Sequence, residues 1–167
     1  NYNTRDWHTV QSESITYYLP KGKIANTDEM TAQADDIKKL CAFFETDAIP
    51  IDYYSCNTPK QIFEIRGFDY FPNMYFGNRG GQAAYADIIY SGNNSEIYTH
   101  EITHIYMKHL FPRSNRLLDE GMATLLGGSV GFDYAWHKAK MAEYVKKNDI
   151  NLSDFLDPYQ RDYIDDE

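Results

Sequence analysis

A histidine motif lies near the middle of the chain. His100-Glu101-Ile102-Thr103-His104 places two imidazoles four residues apart, with a glutamate directly after the first. On a helix, four residues advance the chain by about 400°, so both rings lie on one face and can reach a single metal ion. Glu101 lies about 100° round from His100, where its carboxylate could touch a metal-bound water without becoming a ligand. These residue types in this pattern predict a metal site that activates water.

A further acidic residue could complete this metal site. Glu120 lies in residues 117–123 (LLDEGMA) on the next predicted helix, and Pro112 must end the helix before it. If the second helix returns across the first, Glu120 approaches the two histidines. Two His and one Glu, with a fourth position left to water, form the ligand set of a catalytic zinc site. An H-E-x-x-H pattern alone arises by chance in roughly one such sequence in a hundred, but the added Glu weakens coincidence as an explanation.

The secondary-structure elements that must position these residues are alternating strands and helices in the first half of the chain and helices in the second half. Residues 15–19, 49–54 and 82–90 are β-branched, aromatic or small, and predict strands. Capping signals at Asn26 and at Thr58-Pro59 predict two helices, ending near residues 46 and 67. After an irregular stretch at 68–81, the pattern predicts helices over 95–110, 114–126 and 133–147 and a short turn at 153–156. The predicted fold class is α+β, with a small N-terminal β-α-β-α half followed by a helical half.

The composition fits a single domain over residues 1–167. A chain of 167 residues with 43% hydrophobic residues can bury a core, whereas two full domains would be a tight fit. The net charge is −9 and the basic residues are scattered, which argues against nucleic-acid binding. No apolar run approaches the ~20 residues needed to cross a bilayer, so we expect no transmembrane segment.

The two motifs together resemble the gluzincins, the thermolysin-like zinc metallopeptidases of the peptidase MA-like group, in which H-E-x-x-H on one helix is followed by E-G-x-A on the next. The matching positions are His100, Glu101 and His104 and residues 120–123 (EGMA). The resemblance covers about residues 82–128, the expected catalytic core, and implies a zincin-like fold. It implies Zn²⁺ as the cofactor, bound by both histidines and Glu120. It further implies hydrolysis of a peptide or protein substrate, with Glu101 as the general base.

The resemblance also implies roles for residues outside the two motifs. The third predicted strand takes the place of the active-site edge strand, where Ala83, Ala84 and Tyr85 would contact an extended peptide. The family usually supplies a Tyr or His after the Glu ligand to stabilise the oxyanion, and the candidates here are Tyr134 and His137. On the residues alone, the alanines could equally pack against a helix, and Tyr134 and His137 could serve packing or local hydrogen bonding.

One position departs from the thermolysin pattern. Those enzymes carry an Asp four residues after the ligand Glu, where it orients a metal-binding His, and this chain has Thr124 there. The group that orients the histidines must then be Asp119, Thr124 or a backbone carbonyl.

Two other functions remain open from the sequence. A zinc hydrolase of a non-peptide amide would use the same residues for a different substrate. A non-catalytic module that binds protein or glycan could keep the zincin fold without the reaction.

Three features favour an extracytoplasmic location, whether secreted, periplasmic or surface-anchored. The chain begins at Asn1 rather than Met, and its two cysteines, Cys41 and Cys56, could form one disulfide. An unrestrained protease is also a hazard inside a cell.

Overall fold

A mixed β-sheet lies at the centre of the computed structural model, which describes residues 2–70, 80–84 and 87–151. In chain order the five strands found in these ranges are β1 (His8–Ser12), β2 (Ile15–Leu19), β3 (Ile51–Ser55), β4 (Gly81–Ala84) and β5 (Ile88–Ser91). Their order across the sheet is β1-β2-β3-β5-β4. Strands β2, β3 and β5 pair in parallel, whereas β1 and β4 are antiparallel to their neighbours and form the two edges.

Two helices lie between the strands in the chain, and three more follow the last strand. Besides a short 3-10 helix at Tyr2–Thr4, the described ranges contain α1 (Thr27–Phe44), α2 (Pro59–Ile65), α3 (Thr99–Leu110), α4 (Arg116–Gly127) and α5 (Tyr134–Lys147). The order confirms an α+β fold. None of these helices is long and apolar enough to span a membrane.

The main core lies between one face of the sheet and the helices α1 and α3. Alternate residues of β2 and β3 are buried on this face, and Tyr17 and Tyr53 are completely enclosed there. They belong to the same apolar cluster as Leu40 of α1 and Ile105 of α3. A smaller cluster forms around Ile62 of α2. Helix α3 is therefore fixed by its apolar face, which leaves its histidine face for other contacts.

The two capping signals in the N-terminal half are confirmed. Asn26 accepts a hydrogen bond from the backbone N–H of Glu29, and Thr58 accepts one from the backbone N–H of Gln61. The predicted β-α-β-α order is present as β2-α1-β3-α2. Strand β1 precedes it and was not predicted, because its residues are mostly polar and belong to a sheet edge.

The prediction of one continuous strand over 82–90 is wrong. The segment forms an antiparallel pair instead, in which Ala84 lies opposite Ile88 and Ala83 opposite Ile89. Asp87 occupies the turn between the two strands, a residue type that favours turns. Of this pair, only β4 lies at an edge of the described sheet, because β5 is paired on its other side with β3. The turn predicted at 153–156 lies outside the described residues.

The first helix of the C-terminal half begins at Thr99, four residues later than predicted. Side chains of α1 bond the backbone just before it: Glu29 accepts from the N–H of Glu96 at 2.7 Å, and Gln33 accepts from the N–H of Tyr98 at 2.6 Å. Because these N–H groups already have partners, the segment is held without helical bonds of its own.

A buried ion pair also fixes the approach to α3. Nζ of Lys23 lies 2.9 Å from Oε1 of Glu96, whose side chain is 2% exposed. Ser55 Oγ bonds both partners, at 2.7 Å each, and the backbone N–H of Asn26 donates to the second carboxylate oxygen at 3.0 Å. Removing one partner of such a satisfied pair typically costs about 3–5 kcal/mol. This network anchors the loop that leads into the histidine helix.

The two cysteines are both free thiols, so the disulfide that the sequence left open is not formed. Cys56 is completely buried beside α2. Cys41 is half-buried on α1, where its Sγ lies 3.4 Å from the hydroxyl oxygen of Tyr106.

Candidate metal centre

His100 and His104 lie one turn apart on α3, as the motif predicts. Their ring centroids are 4.9 Å apart and the ring planes are nearly perpendicular, at 81°. The opposite face of the helix is packed into the core through Ile102 and Ile105, both 0% exposed. The two histidine side chains are themselves only 12% and 9% exposed. Packing of the apolar face therefore directs both rings into a sheltered space in front of α4.

The carboxylate of Glu120 projects from α4 between the two rings. Its Oε2 lies 3.6 Å from Nε2 of His100 and 3.6 Å from Nε2 of His104. These separations exceed the 2.7–3.2 Å typical of a direct N–H···O hydrogen bond. Ligand bonds of about 2.0–2.2 Å at a tetrahedral angle would place such N and O atoms about 3.4 Å apart. The spacing of Glu120 from each histidine therefore fits a pair of ligands on one small cation better than it fits a direct hydrogen bond.

The second nitrogen of each ring is held by a different group. Nδ1 of His100 lies 2.6 Å from the carbonyl oxygen of Gly128, and Nδ1 of His104 lies 3.1 Å from Oδ1 of Asp119. The hydrogen bond to Gly128 fixes the Nδ1–H tautomer of His100, whereas the contact with Asp119 is an ion-pair distance and not a hydrogen bond. In both rings Nε2 is the nitrogen that faces Glu120. Of the three groups that the sequence offered for this task, Asp119 and a backbone carbonyl are the ones that lie next to the Nδ1 atoms. The Thr124 carbonyl instead accepts the N–H of Gly128, at 3.0 Å.

A glycine allows the two helices to meet closely enough for these contacts. A Cβ built on Gly127, at the end of α4, would lie 2.2 Å from the backbone nitrogen of His100 and 2.6 Å from its Cα. Because backbone atoms cannot move aside as a flexible side chain can, any larger residue would separate α3 from α4. The sequence predicts only that this helix ends at residue 126, so the role of Gly127 was missed.

Glu101 stands beside the two histidines. Its carboxylate and the imidazole nitrogens of His100 and His104 offer ligand atoms that all lie within 4.8 Å of one another. One of its oxygens, Oε2, accepts a hydrogen bond from the backbone N–H of Ala83 at 2.7 Å. The edge strand β4 therefore orients this carboxylate next to the candidate metal position, and the cluster could bind a metal ion.

The three residues expected on the edge strand have different surroundings. Ala83 bonds α3 through both backbone groups, since its carbonyl accepts from Nζ of Lys108 at 2.9 Å. Ala84 is 7% exposed, so its methyl group packs inward. Tyr85 lies outside the described residues. Lys108 was not singled out from the sequence, because its contact depends on where β4 meets α3.

Tyr134 and His137 lie at the start of α5, away from these contacts. Nε2 of His137 lies 2.9 Å from the carbonyl oxygen of Ser129, so that nitrogen donates to the segment just before α5. The Tyr134 side chain is 42% exposed. Within the described residues, no hydrogen bond or ion pair joins either side chain to Glu101 or Glu120. Their role in oxyanion stabilisation stays a prediction.

The acidic residues of α4 raise the proton affinity of the histidines. Burial by itself lowers the pKa of His104, but contacts with Glu120 and Asp119 outweigh burial and raise the pKa to about 9. Burial also lowers the pKa of His100. Contacts with Glu120 and with the Gly128 carbonyl outweigh burial, so the pKa of His100 is raised above its usual value. The contacts with the two histidines hold the pKa of Glu120 well below its usual range. A cation entering this cluster therefore competes with protons.

Comparisons of the chain with protein-family models, curated proteins and solved structures give no match.

Proposed function

We propose that this chain is a zinc-dependent metallopeptidase of the gluzincin type, with a zincin-like arrangement of its edge strand and its two motif helices. One observation carries the proposal. Oε2 of Glu120 lies 3.6 Å from Nε2 of both His100 and His104, while both Nδ1 atoms face other groups. Two imidazoles and a carboxylate that converge in this way are a donor set suited to zinc.

His100, His104 and Glu120 would hold the ion. The Gly128 carbonyl and Asp119 would keep the two rings in the orientation that binding needs, and such supporting contacts are typically worth 10–100-fold in metal affinity. When bound, zinc supplies a Lewis acid that polarises a carbonyl oxygen and makes water a stronger acid. A substrate would approach from the side of β4, the strand that bonds Glu101.

Glu101 would move the protons in this reaction. Its carboxylate lies beside the ligand atoms rather than opposite them, so it can accept a proton from the attacking water. The same carboxyl group can then give that proton to the departing amine. A positioned general acid-base group of this kind is typically worth about 10²–10⁴ in rate.

Strand β4 offers the surface on which a peptide would lie. It is the last strand of the sheet, and a peptide in extended conformation can add to such an edge through main-chain hydrogen bonds. Ala83 lies on this edge and contacts Glu101 directly. A peptide paired with β4 would therefore pass next to the general base and the candidate metal ligands.

The test is metal analysis of the purified chain, combined with assays on a diverse peptide library before and after chelation. We expect about one zinc per chain and hydrolysis that chelation abolishes. Glu101→Gln should keep the zinc and lose about 10²–10⁴ of the rate. His100→Ala and His104→Ala should lose both metal and activity. Glu143→Gln, which removes an equivalent charge from the exposed face of α5, is the matched control.

Three results would contradict the proposal. One is a chain that binds no zinc at micromolar metal concentration. Another is hydrolysis that survives the loss of Glu101. The third is stoichiometric zinc without cleavage of any peptide in the library.

A further inference from the structure

We propose that Lys108 determines part of the substrate specificity of this site. Its ammonium group would favour peptides that carry a carboxylate next to the residue that pairs with Ala83. The carboxylate is an Asp or Glu side chain of the peptide. This inference rests on the proposed function, because it assumes that a peptide binds along β4.

Two side chains of α3 occupy both backbone groups of Ala83 in the edge strand β4. The N–H of Ala83 donates to Oε2 of Glu101 at 2.7 Å, and its carbonyl accepts from Nζ of Lys108 at 2.9 Å. In a strand, the N–H and the carbonyl of one residue point to the same side. Since Ala83 directs both groups at α3, they lie on the open side of β4, away from β5.

A peptide that adds to β4 at this point needs the same two groups. An antiparallel partner exchanges both of its main-chain hydrogen bonds with one opposing residue. It must therefore replace Glu101 at the N–H of Ala83 and Lys108 at its carbonyl. Glu101 then remains beside His100 and His104, where the proposed reaction uses it.

Lys108, unlike Glu101, has no second interaction partner in the described part of the chain once a peptide displaces it. Within the described residues, its ammonium bonds the Ala83 carbonyl and forms no ion pair. A displaced ammonium gains most from an ionised acceptor, because a charge-assisted hydrogen bond is stronger than one to a neutral carbonyl. A substrate carboxylate within reach of its flexible four-carbon stem would supply that acceptor.

The overall charge of the chain disfavours acidic peptides. The chain carries a net charge of −9, and Asp119 and Glu120 lie close to the site, so the general field repels acidic peptides. Arg116, a further cation near this cluster, already lies 3.9 Å from Glu120. A measured preference for acidic peptides must therefore come from a local cation, which makes Lys108 the group to test.

The experiment measures dissociation constants of fluorescent, capped alanine peptides that carry one Glu or one Gln at each position in turn. Binding to the full chain is followed by anisotropy in the presence of chelator, where no turnover occurs. At one position we expect the Glu peptide to bind about two- to fivefold more tightly than its Gln counterpart, as for an exposed ion pair. Lys108→Met should abolish this difference and Lys108→Arg should keep it.

Lys21→Met is the matched control, since Lys21 is exposed in the turn after β2 and its loss changes the net charge equally. It should keep the preference for Glu. Raising the salt concentration to about 0.5 M should shrink the preference in the unmodified chain, because exposed charges are screened. Lys108 lies in the last turn of α3, and Met is a good helix former, so the variant should fold; circular dichroism checks this.

The proposal fails if Lys108→Met keeps the preference, or if the unmodified chain shows no preference or no binding at any position. These outcomes are separable from failure of the proposed function. A preference for Glu that depends on Lys108, together with no hydrolysis by the zinc-loaded chain, supports Lys108 and contradicts the peptidase. Hydrolysis that depends on Glu101 but ignores peptide charge contradicts the role of Lys108 alone.

Discussion

Oδ1 of Asp119 lies 3.1 Å from Nδ1 of His104, while the next residue, Glu120, approaches Nε2 of the same ring at 3.6 Å. Two consecutive residues of α4 thus face the two nitrogens of one imidazole. Both atoms of the Asp119–His104 contact are buried, and neither has a hydrogen-bond partner among the described residues, so the pair is held by proximity of charge rather than by a well-directed hydrogen bond. The orientation of His104, one candidate ligand, therefore depends on α4, the helix that carries Glu120, another candidate ligand.

Asp119→Ala should weaken zinc binding by about 10–100-fold, because the ring of His104 loses the group that orients it. Competition against a chromophoric chelator measures the change. Thr124→Val is the informative control, since the gluzincin resemblance would put an orienting Asp at position 124. It should change zinc affinity less than twofold. A larger effect at Thr124 than at Asp119 would contradict this account of how His104 is held.

Gly127→Ala should destabilise the protein and weaken zinc binding, because its Cβ would meet the backbone of His100. A clash with backbone costs typically 1–3 kcal/mol, and here relief requires α3 and α4 to move apart. Gly121 on the same helix has open space around its Cβ position. Gly121→Ala should therefore stabilise the chain by about 0.5–1 kcal/mol through helix propensity alone.

Chemical denaturation of both glycine variants, with and without zinc, measures these two effects. The close approach of the helices would be refuted by a Gly127→Ala variant as stable as Gly121→Ala.

The metal-free chain should lose stability as the pH rises from about 6.5 to 9. The pKa of His104 is raised to about 9 in the folded protein, against an ordinary value near 6.5, so the folded state binds its proton more tightly than the unfolded state. The contribution is complete below pH 6.5 and is lost as the pH passes through 9. Allowing for solvent screening, we expect a fall of about 1–2 kcal/mol in the free energy of unfolding.

Guanidinium denaturation in chelator at pH 6.5, 8 and 9.5 tests this dependence. His104→Gln should show a shallower fall over the same range. The stabilisation that zinc adds should increase with pH, since the ligands must release their protons to bind it. Parallel pH profiles for the two metal-free proteins would show that His104 is not the group responsible.

Local patterns predicted the parts of this molecule whose geometry is set within one helix. The spacing of His100 and His104 fixes their common face, and capping residues such as Asn26 fix where α1 begins. Glu120 was predicted to approach them because Pro112 ends α3 and a short connection returns the chain. Each of these rests on contacts between residues close in sequence or on one turn between helices.

The features that the sequence did not predict depend on contacts between segments that are distant in the chain. The turn at Asp87 divides a continuous run of small and apolar residues that alone fits one strand as well as two. The contact of Lys108 with Ala83 and the close packing of Gly127 on His100 need the relative placement of β4, α3 and α4. No sequence pattern encodes that placement, so these site residues were found only in the structure.

The two cysteines should differ sharply in reactivity. Burial raises the pKa of the Cys56 thiol to about 12, although the nearby Lys23 opposes the shift, so its reactive thiolate is very scarce at pH 8. Relative to an ordinary thiol with a pKa near 8.5, its thiolate fraction should be about three orders of magnitude lower. Cys41 is partly exposed and should react readily.

Titration with a chromogenic thiol reagent measures both groups. In the native chain we expect one fast thiol, lost in Cys41→Ser, and one that reacts only on the timescale of unfolding. In denaturant without reductant, both should react at once, because the structure holds them as free thiols. A chain that shows no thiol under those conditions would contain a disulfide, which would require Cys56 to leave the core where it packs with α2.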